Sequence, residues 1–211
     1  MSVPDVLIAI LAAGASRRLG TAKQLVPVDG EPLLRRQCRC ALSAGIGSVI
    51  VILGCDAERH AHVIADLPVD VCVNHEWPEG MAASLRHAVG AASERRAASL
   101  ILPCDQFRIT PGDLRSLYDT WRLAPSAACL SCWDDYVGPP AILPSEYYED
   151  VRQLRGDVGA RAVVSARSLP RPLGVANPRA TYDLDWPEDL TIANTREGDR
   201  HLRPIDPAHR I

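Results

Sequence analysis

The reading of this chain turns on residues 6–23, Val6-Leu7-Ile8-Ala9-Ile10-Leu11-Ala12-Ala13-Gly14-Ala15-Ser16-Arg17-Arg18-Leu19-Gly20-Thr21-Ala22-Lys23. The apolar run Val6–Leu11 shows no apolar/polar alternation, as expected of a strand covered on both faces, and it gives way to small residues and three cations. A loop of small side chains directly after a buried strand lets backbone N–H groups approach a phosphate, while Arg18 and Lys23 balance its charge. On spacing alone a second reading stands beside this one: a glycine turn with a solvated basic loop. Neither the G-x-G-x-x-G dinucleotide fingerprint nor a P-loop is present, which disfavours a dehydrogenase.

Outward from this stretch, β-rich runs alternate with helix-periodic ones. The spacing predicts strands at Val6–Leu11, Ser48–Leu53, Val69–Val73 and Ser99–Leu102, separated by helices at Pro32–Ala44, Ala57–Ala65 and Met81–Ala92. Parallel strands need such crossovers, so the expected class is α/β: a three-layer, Rossmann-like, mostly parallel sheet with helices on both faces. Thr110-Pro111-Gly112-Asp113 carries an N-cap, a Pro at the first helical position and an acid three residues after the cap. Leu114, Leu117, Tyr118 and Trp121 then give that helix its buried stripe. Further strands are expected at Ala127–Cys132, Gly138–Leu143 and Thr181–Leu184, and helices at Ser145–Leu154, Val158–Ala166 and Pro187–Asn194.

With 211 residues, 47% of them hydrophobic and 23% charged, the chain reads as one globular domain over residues 1–195, followed by a polar tail at 196–211. Its nucleotide-binding half is expected at about 1–110 and its acceptor-binding half at about 111–195. The net charge of −3 leaves no cationic excess for a polyanion, which argues against a nucleic-acid partner. Val6–Leu11 is too short to span a membrane and lacks the basic flank of a signal peptide, so a cytoplasmic protein with no membrane partner is expected. Seven cysteines, at 38, 40, 55, 72, 104, 129 and 132, read as reduced thiols. Cys129 and Cys132 form a C-x-x-C, but no second pair completes a four-ligand zinc set. The six histidines show no metal-binding spacing.

Two acidic positions stand out. Asp105 follows the run Leu100-Ile101-Leu102-Pro103, and strand C-termini are where ligands bind in open α/β sheets; a carboxylate there suits Mg²⁺ and phosphate, or else serves as a turn or cap residue. In Tyr182-Asp183-Leu184-Asp185, the two acids share one face of a strand, and Asp185 is either a second metal ligand or part of the cap of the final helix. Gly80 and Ser84 follow the third strand, where the backbone can approach a flat ligand and a hydroxyl can read a base edge.

The run Leu11-Ala12-Ala13-Gly14, with Ser16, Arg18, Gly20, Lys23-Gln24-Leu25 and Gly30-Glu31-Pro32-Leu33-Leu34, resembles the signature of the molybdopterin-guanylyltransferase-like nucleotidyltransferases. Within that superfamily it is most similar to the molybdenum cofactor cytidylyltransferase group. Glu79-Gly80-Met81, Ser84-Leu85, Cys104-Asp105-Gln106, Gly138-Pro139-Pro140, Gly156-Asp157-Val158-Gly159-Ala160-Arg161 and Asp183-Leu184-Asp185 with Pro187-Glu188-Asp189 follow in family order, so the resemblance covers residues 6–190.

The resemblance implies the nucleotide-diphospho-sugar transferase fold and transfer of CMP from CTP to the terminal phosphate of molybdopterin, with release of pyrophosphate. It implies a backbone cradle through Leu11, Ala12, Ala13, Gly14 and Gly20, catalytic Arg18, Lys23 and Asp105, Mg²⁺ on Asp105 and Asp185, and Gly80 with Ser84 near the base. A molybdoenzyme is the implied recipient of the product. Ala13 stands where guanylyl-transferring relatives carry Gly, which favours cytosine. Phe107 and Pro140-Ala141-Ile142 depart from the group pattern where the acceptor is expected. Two alternatives remain: a pyrophosphorylase of the same fold acting on a sugar phosphate or isoprenoid-precursor phosphate, and a non-catalytic nucleotide- or cofactor-binding accessory protein.

Overall fold

The computed structural model describes residues 5–92 and 97–193. Its elements run β1 (Val6–Ala12), β2 (Pro27–Val28), β3 (Glu31–Pro32), α1 (Leu33–Ala44), β4 (Gly47–Leu53), α2 (Ala57–His62), β5 (Asp70–Val73), α3 (Met81–Ala92), β6 (Ala98–Pro103) and α4 (Pro111–Trp121). They continue with β7 (Cys129–Trp133), β8 (Tyr136–Pro144), α5 (Tyr148–Gln153), α6 (Ala160–Ala166), β9 (Leu173–Ala176) and α7 (Asp189–Ala193). The expected tail at 196–211 lies outside the described residues. Among the described residues, no helix is long and apolar enough to cross a membrane.

Seven strands form one mostly parallel sheet in the order β5-β4-β1-β6-β8-β7-β9, in which β8 runs antiparallel to both β6 and β7. β1 is an interior strand on which every side chain is apolar, and it splits the core by parity. Val6, Ile8 and Ile10 face the cluster containing Leu33, Leu34 and Cys38 of α1 and Leu114, Leu117 and Trp121 of α4. Leu7 and Ala9 face the other cluster, with Leu85, Ala88 and Val89 of α3, Val151 of α5 and Val163 and Val164 of α6. Each fully buried Leu or Ile contributes about 1.5–3 kcal/mol, so this two-sided core fixes the register of β1 and hence where its C-terminal loop emerges.

Helix ends follow their local chemistry. Thr110 Oγ1 accepts the Asp113 N–H while the Asp113 carboxylate accepts the Thr110 N–H, closing the expected capping box on α4. α1 stops at Gly45, whose φ of 66° favours glycine.

Several expectations are corrected. The strand expected at Thr181–Leu184 is absent: Pro178–Thr181 forms a 3-10 turn and the chain then runs extended, with Leu184 N–H donating to the Asp105 carbonyl at 3.0 Å. The strand lies earlier, at β9, beside β7. α2 ends at His62 rather than Ala65, and Pro32 precedes α1 instead of opening it. Phe107 is buried and packs edge-on to Tyr182, while Pro140, Ala141 and Ile142 are buried in β8, so both departures from the family pattern fall in the interior rather than in an open acceptor pocket.

Candidate functional site

The C-terminal ends of β1 and β6 adjoin at the point where the strand order reverses, with Cys104 N–H donating to the Leu11 carbonyl at 3.0 Å. Loops leave both strands toward the same side, which is where such sheets open a crevice. The loop after β1, residues 13–22, is shaped by one buried side chain, Gln24. Its amide nitrogen donates to the carbonyls of Ala12 at 2.9 Å and Gly14 at 2.8 Å, and its Oε1 accepts the Ser16 hydroxyl at 3.3 Å. Ser16 Oγ in turn accepts the Lys23 N–H at 3.1 Å. Gly20, at φ 74°, closes the loop by donating its N–H to the Ser16 carbonyl at 3.2 Å.

This arrangement aims Lys23 inward. Its Nζ lies 2.6 Å from Asp105 Oδ2 and 2.9 Å from Asp185 Oδ1, and Arg18 stands 3.9 Å from the other Asp185 oxygen. Burial opposes charge on Lys23, but the fields of Asp105 and Asp185 and the hydrogen bonds to both outweigh it and raise the pKa above its ordinary value. The ammonium is therefore fixed as a cation. Asp185 is held from behind: buried Asp189 accepts the N–H groups of Asp185 at 2.9 Å and Trp186 at 2.8 Å. The Arg18 guanidinium lies over the Trp186 ring, 5.9 Å from its centroid.

A cavity of about 400 Å³ opens here, lined by Gly14 to Leu19, Lys23, Trp77, Pro78, Met81, Asp105, Asp157, Leu184 and Asp185. Of the residues expected from sequence, it gathers Gly14, Arg18, Lys23, Asp105 and Asp185 in one place. Leu11, Ala12 and Ala13 lie beneath, their carbonyls taken by Cys104 N–H, Gln24 and Cys55 N–H. Gly20 shapes the loop without lining this cavity.

Gly80 and Ser84 do not line it either. Gly80, at φ 120°, lies so close to the 155–159 segment that an added Cβ would stand 2.7 Å from the Gly156 carbonyl; Ala82 N–H donates to that carbonyl at 3.1 Å. The Ser84 hydroxyl is buried and accepts from Asn74 at 3.1 Å. Trp77 and Met81 occupy the cavity wall instead. Trp77 lies over Gly54, where an added Cβ would stand 2.7 Å from both the Trp77 Cβ and the Ala13 carbonyl. Gln24 and Asp189 enter the sequence reading only as members of the family motif; an acid two residues after Pro187, at a helix opening, is the available signal for Asp189.

Two converging carboxylates and an adjoining loop of small residues can hold a cation and phosphate oxygens together. Among the described residues, no group of three or more His, Cys, Asp or Glu side chains converges to hold a metal. The pair fits Mg²⁺, which commonly takes one or two carboxylates and completes its shell with water and substrate phosphate.

The family model for the MobA-like NTP transferase domain matches residues 8–171. The chain belongs to this family of nucleotidyltransferases. It is 27% identical to the purine catabolism protein PucB of Bacillus subtilis, over 91% of this chain and 97% of that protein. It is 33% identical to nicotine blue oxidoreductase of Paenarthrobacter nicotinovorans, over 75% and 81%, and 29% identical to a probable molybdenum cofactor guanylyltransferase of Synechococcus elongatus, over 76% and 86%. Among solved structures, Rv0371c of Mycobacterium tuberculosis superimposes with a TM-score of 0.78 at 29% identity, covering 92% of this chain and 98% of that one. A further structure of Rv0371c, a complex with manganese, superimposes with a TM-score of 0.74 at 26% identity, covering 91% and 98%.

Proposed function

We propose that this nucleotidyltransferase moves CMP from CTP to the terminal phosphate of molybdopterin and releases pyrophosphate. The observation that carries the reading is the meeting of Lys23, Asp105 and Asp185 beside the 13–22 loop. An oxygen of the acceptor phosphate attacks the α-phosphorus of the nucleotide, a new P–O bond forms, and the bond to the bridging oxygen of the leaving pyrophosphate breaks. The acceptor phosphate is already ionised near neutral pH, so the site needs no strong general base.

What it needs is alignment and charge compensation. The loop backbone orients the triphosphate, while Arg18 and Lys23 hold its oxygens. Asp105 and Asp185 are the residues that would hold Mg²⁺, and the ion, when bound, neutralises charge on the phosphate oxygens. The named activity of the Synechococcus relative supports a molybdenum-cofactor acceptor, and the manganese in the Rv0371c complex supports a divalent ion. Cytosine is supported by Ala13, which stands where guanylyl-transferring relatives carry Gly; one methyl discriminates by about 1–3 kcal/mol.

The test is pyrophosphate release measured with each nucleoside triphosphate, Mg²⁺ and molybdopterin. Release should require CTP and the pterin together, and Asp105→Ala should abolish it with an unchanged far-UV circular dichroism spectrum. Release with GTP in place of CTP, or with a sugar phosphate in place of the pterin, would overturn the assignment.

A further inference from the structure

The cavity beside Lys23 has two unlike sides. Arg18, Lys23, Asp105 and Asp185 make one of them charged, while Trp77, Pro78 and Met81 give it an apolar wall. Trp77 is the one aromatic residue among the described residues that line the cavity, and it is only half-buried there.

The seat of this tryptophan is made by leaving out a neighbouring side chain. Gly54, just after β4, has no positive φ that would call for glycine. An added Cβ there would nevertheless stand 2.7 Å from Trp77 Cβ, 2.8 Å from Trp77 Cγ and 2.7 Å from the Ala13 carbonyl oxygen. Only a bare backbone lets Trp77 and the start of the 13–22 loop approach the end of β4 together.

The turn that carries Trp77 is pinned as well. Buried Asn74 donates its N–H to the Leu53 carbonyl at 2.7 Å and its Nδ2 to Ser84 Oγ at 3.1 Å, and it accepts the Glu76 N–H at 2.9 Å. Gly80 N–H donates to the Trp77 carbonyl at 3.2 Å, and Arg86 of α3 bridges the carboxylates of Glu76 at 2.9 Å and Glu79 at 2.5 Å. An aromatic group held in place before binding costs a ligand little ordering entropy to use. Ser84, expected near the base, is engaged by Asn74 and supports this turn from within.

Place along the sheet distinguishes the two ends of a bound nucleotide. β4 and β6 flank β1 on opposite sides, so Trp77, over the end of β4, and Asp105, after β6, border the end of β1 from opposite directions. The base is the flat, uncharged part of a nucleoside triphosphate, and it matches the apolar wall rather than the carboxylates. We infer that Trp77 is the residue on which the nucleobase stacks, an inference that rests on the assignment of the 13–22 loop to the triphosphate. Every base has a π-face, so this contact separates nucleotides from bare polyphosphate without choosing among bases.

Calorimetric titration of the full chain with ATP, CTP, GTP, UTP and inorganic tripolyphosphate, each with Mg²⁺, tests it. In the parent, at least one nucleoside triphosphate should bind about tenfold or more tighter than tripolyphosphate. Trp77→Leu keeps apolar bulk against Gly54 but has no π-face; it should cancel that advantage and leave tripolyphosphate affinity unchanged, and Trp77→Phe should restore most of it. Unchanged tripolyphosphate binding is the readout that a merely structural role would not give. If the advantage belongs to GTP rather than CTP and still vanishes in Trp77→Leu, the stacking assignment stands and the choice of cytosine falls. Three results would overturn the inference: no nucleoside triphosphate preferred over tripolyphosphate by the parent, an advantage that survives in Trp77→Leu, which would leave Trp77 to the acceptor, or equal weakening of nucleotide and tripolyphosphate in both variants.

Discussion

Lys23 and Asp105, 82 residues apart in sequence, meet at 2.6 Å where the loop after β1 crosses the end of β6. On the proposed assignment of Asp105 and Asp185 to a divalent ion, the Lys23 ammonium and the metal compete for the same carboxylates. Lys23→Met should lower stability by about 1–3 kcal/mol, below the cost of breaking a fully buried pair because the groups are partly exposed. It should also tighten manganese binding and reduce turnover about 100-fold or more. Thermal unfolding with and without Mn²⁺ checks this: the metal should raise the Tm of the variant more than that of the parent.

Asp189 supports Asp185 by accepting two consecutive backbone N–H groups. Asp189→Ala leaves those donors unmatched, costing about 1–3 kcal/mol, and frees the loop that carries Asp185. Manganese affinity should fall about tenfold, as is typical when a residue orienting a metal ligand is lost. Calorimetric titration with Mn²⁺ measures it, and unchanged affinity would show that Asp185 needs no such support.

His60 gives acid sensitivity with a definite sign. Burial depresses its folded-state pKa below the ordinary 6.5, so in the window just under pH 6.5 the unfolded chain binds a proton that the folded chain does not. Stability contributed by the neutral ring is present above pH 6.5 and is lost as pH falls toward the folded-state value. Urea unfolding from pH 7.5 to 5 should show this loss, and His60→Leu should remove its share of the slope.

The cysteines divide by environment. Burial pushes the thiols of Cys38, Cys40 and Cys129 up to about 12, and Cys104 is raised as well. In native protein at pH 8, an aromatic disulfide reagent should label Cys55, Cys72 and Cys132 first, since these are the partly exposed ones. Peptide mapping after brief labelling checks the order; early labelling of Cys129 would contradict the packing of β7.

The parallel half of the fold was legible because continuous apolar runs and capped helices agree at every level, as at Val6–Leu11 and at Thr110 with Asp113. β9 was missed because Leu173–Ala176 is short, lies at a sheet edge and is only partly buried, so no apolar run announces it. The β2–β3 hairpin was missed although Asp29-Gly30, both at positive φ, is a hairpin turn signal; two-residue strands carry no periodicity. That Arg18, Lys23, Asp105 and Asp185 gather in one place was legible from their membership of one motif and, for the first three, from their position after β1 and β6; Asp185 was read on a strand that the structure does not form. Trp77, Met81 and Asp157 were not, because which side chains border an opening depends on how the 155–159 segment docks on α3.

Gln24 spans the bend after β1 with hydrogen bonds to Ala12, Gly14 and Ser16, so this segment holds its shape before any ligand arrives. The entropy of ordering it is met during folding, and association with a triphosphate is spared that cost. Gln24→Ala would move the same cost to the binding step: arrival would slow and become two-phase in rapid mixing, even though the substituted side chain never meets the incoming molecule.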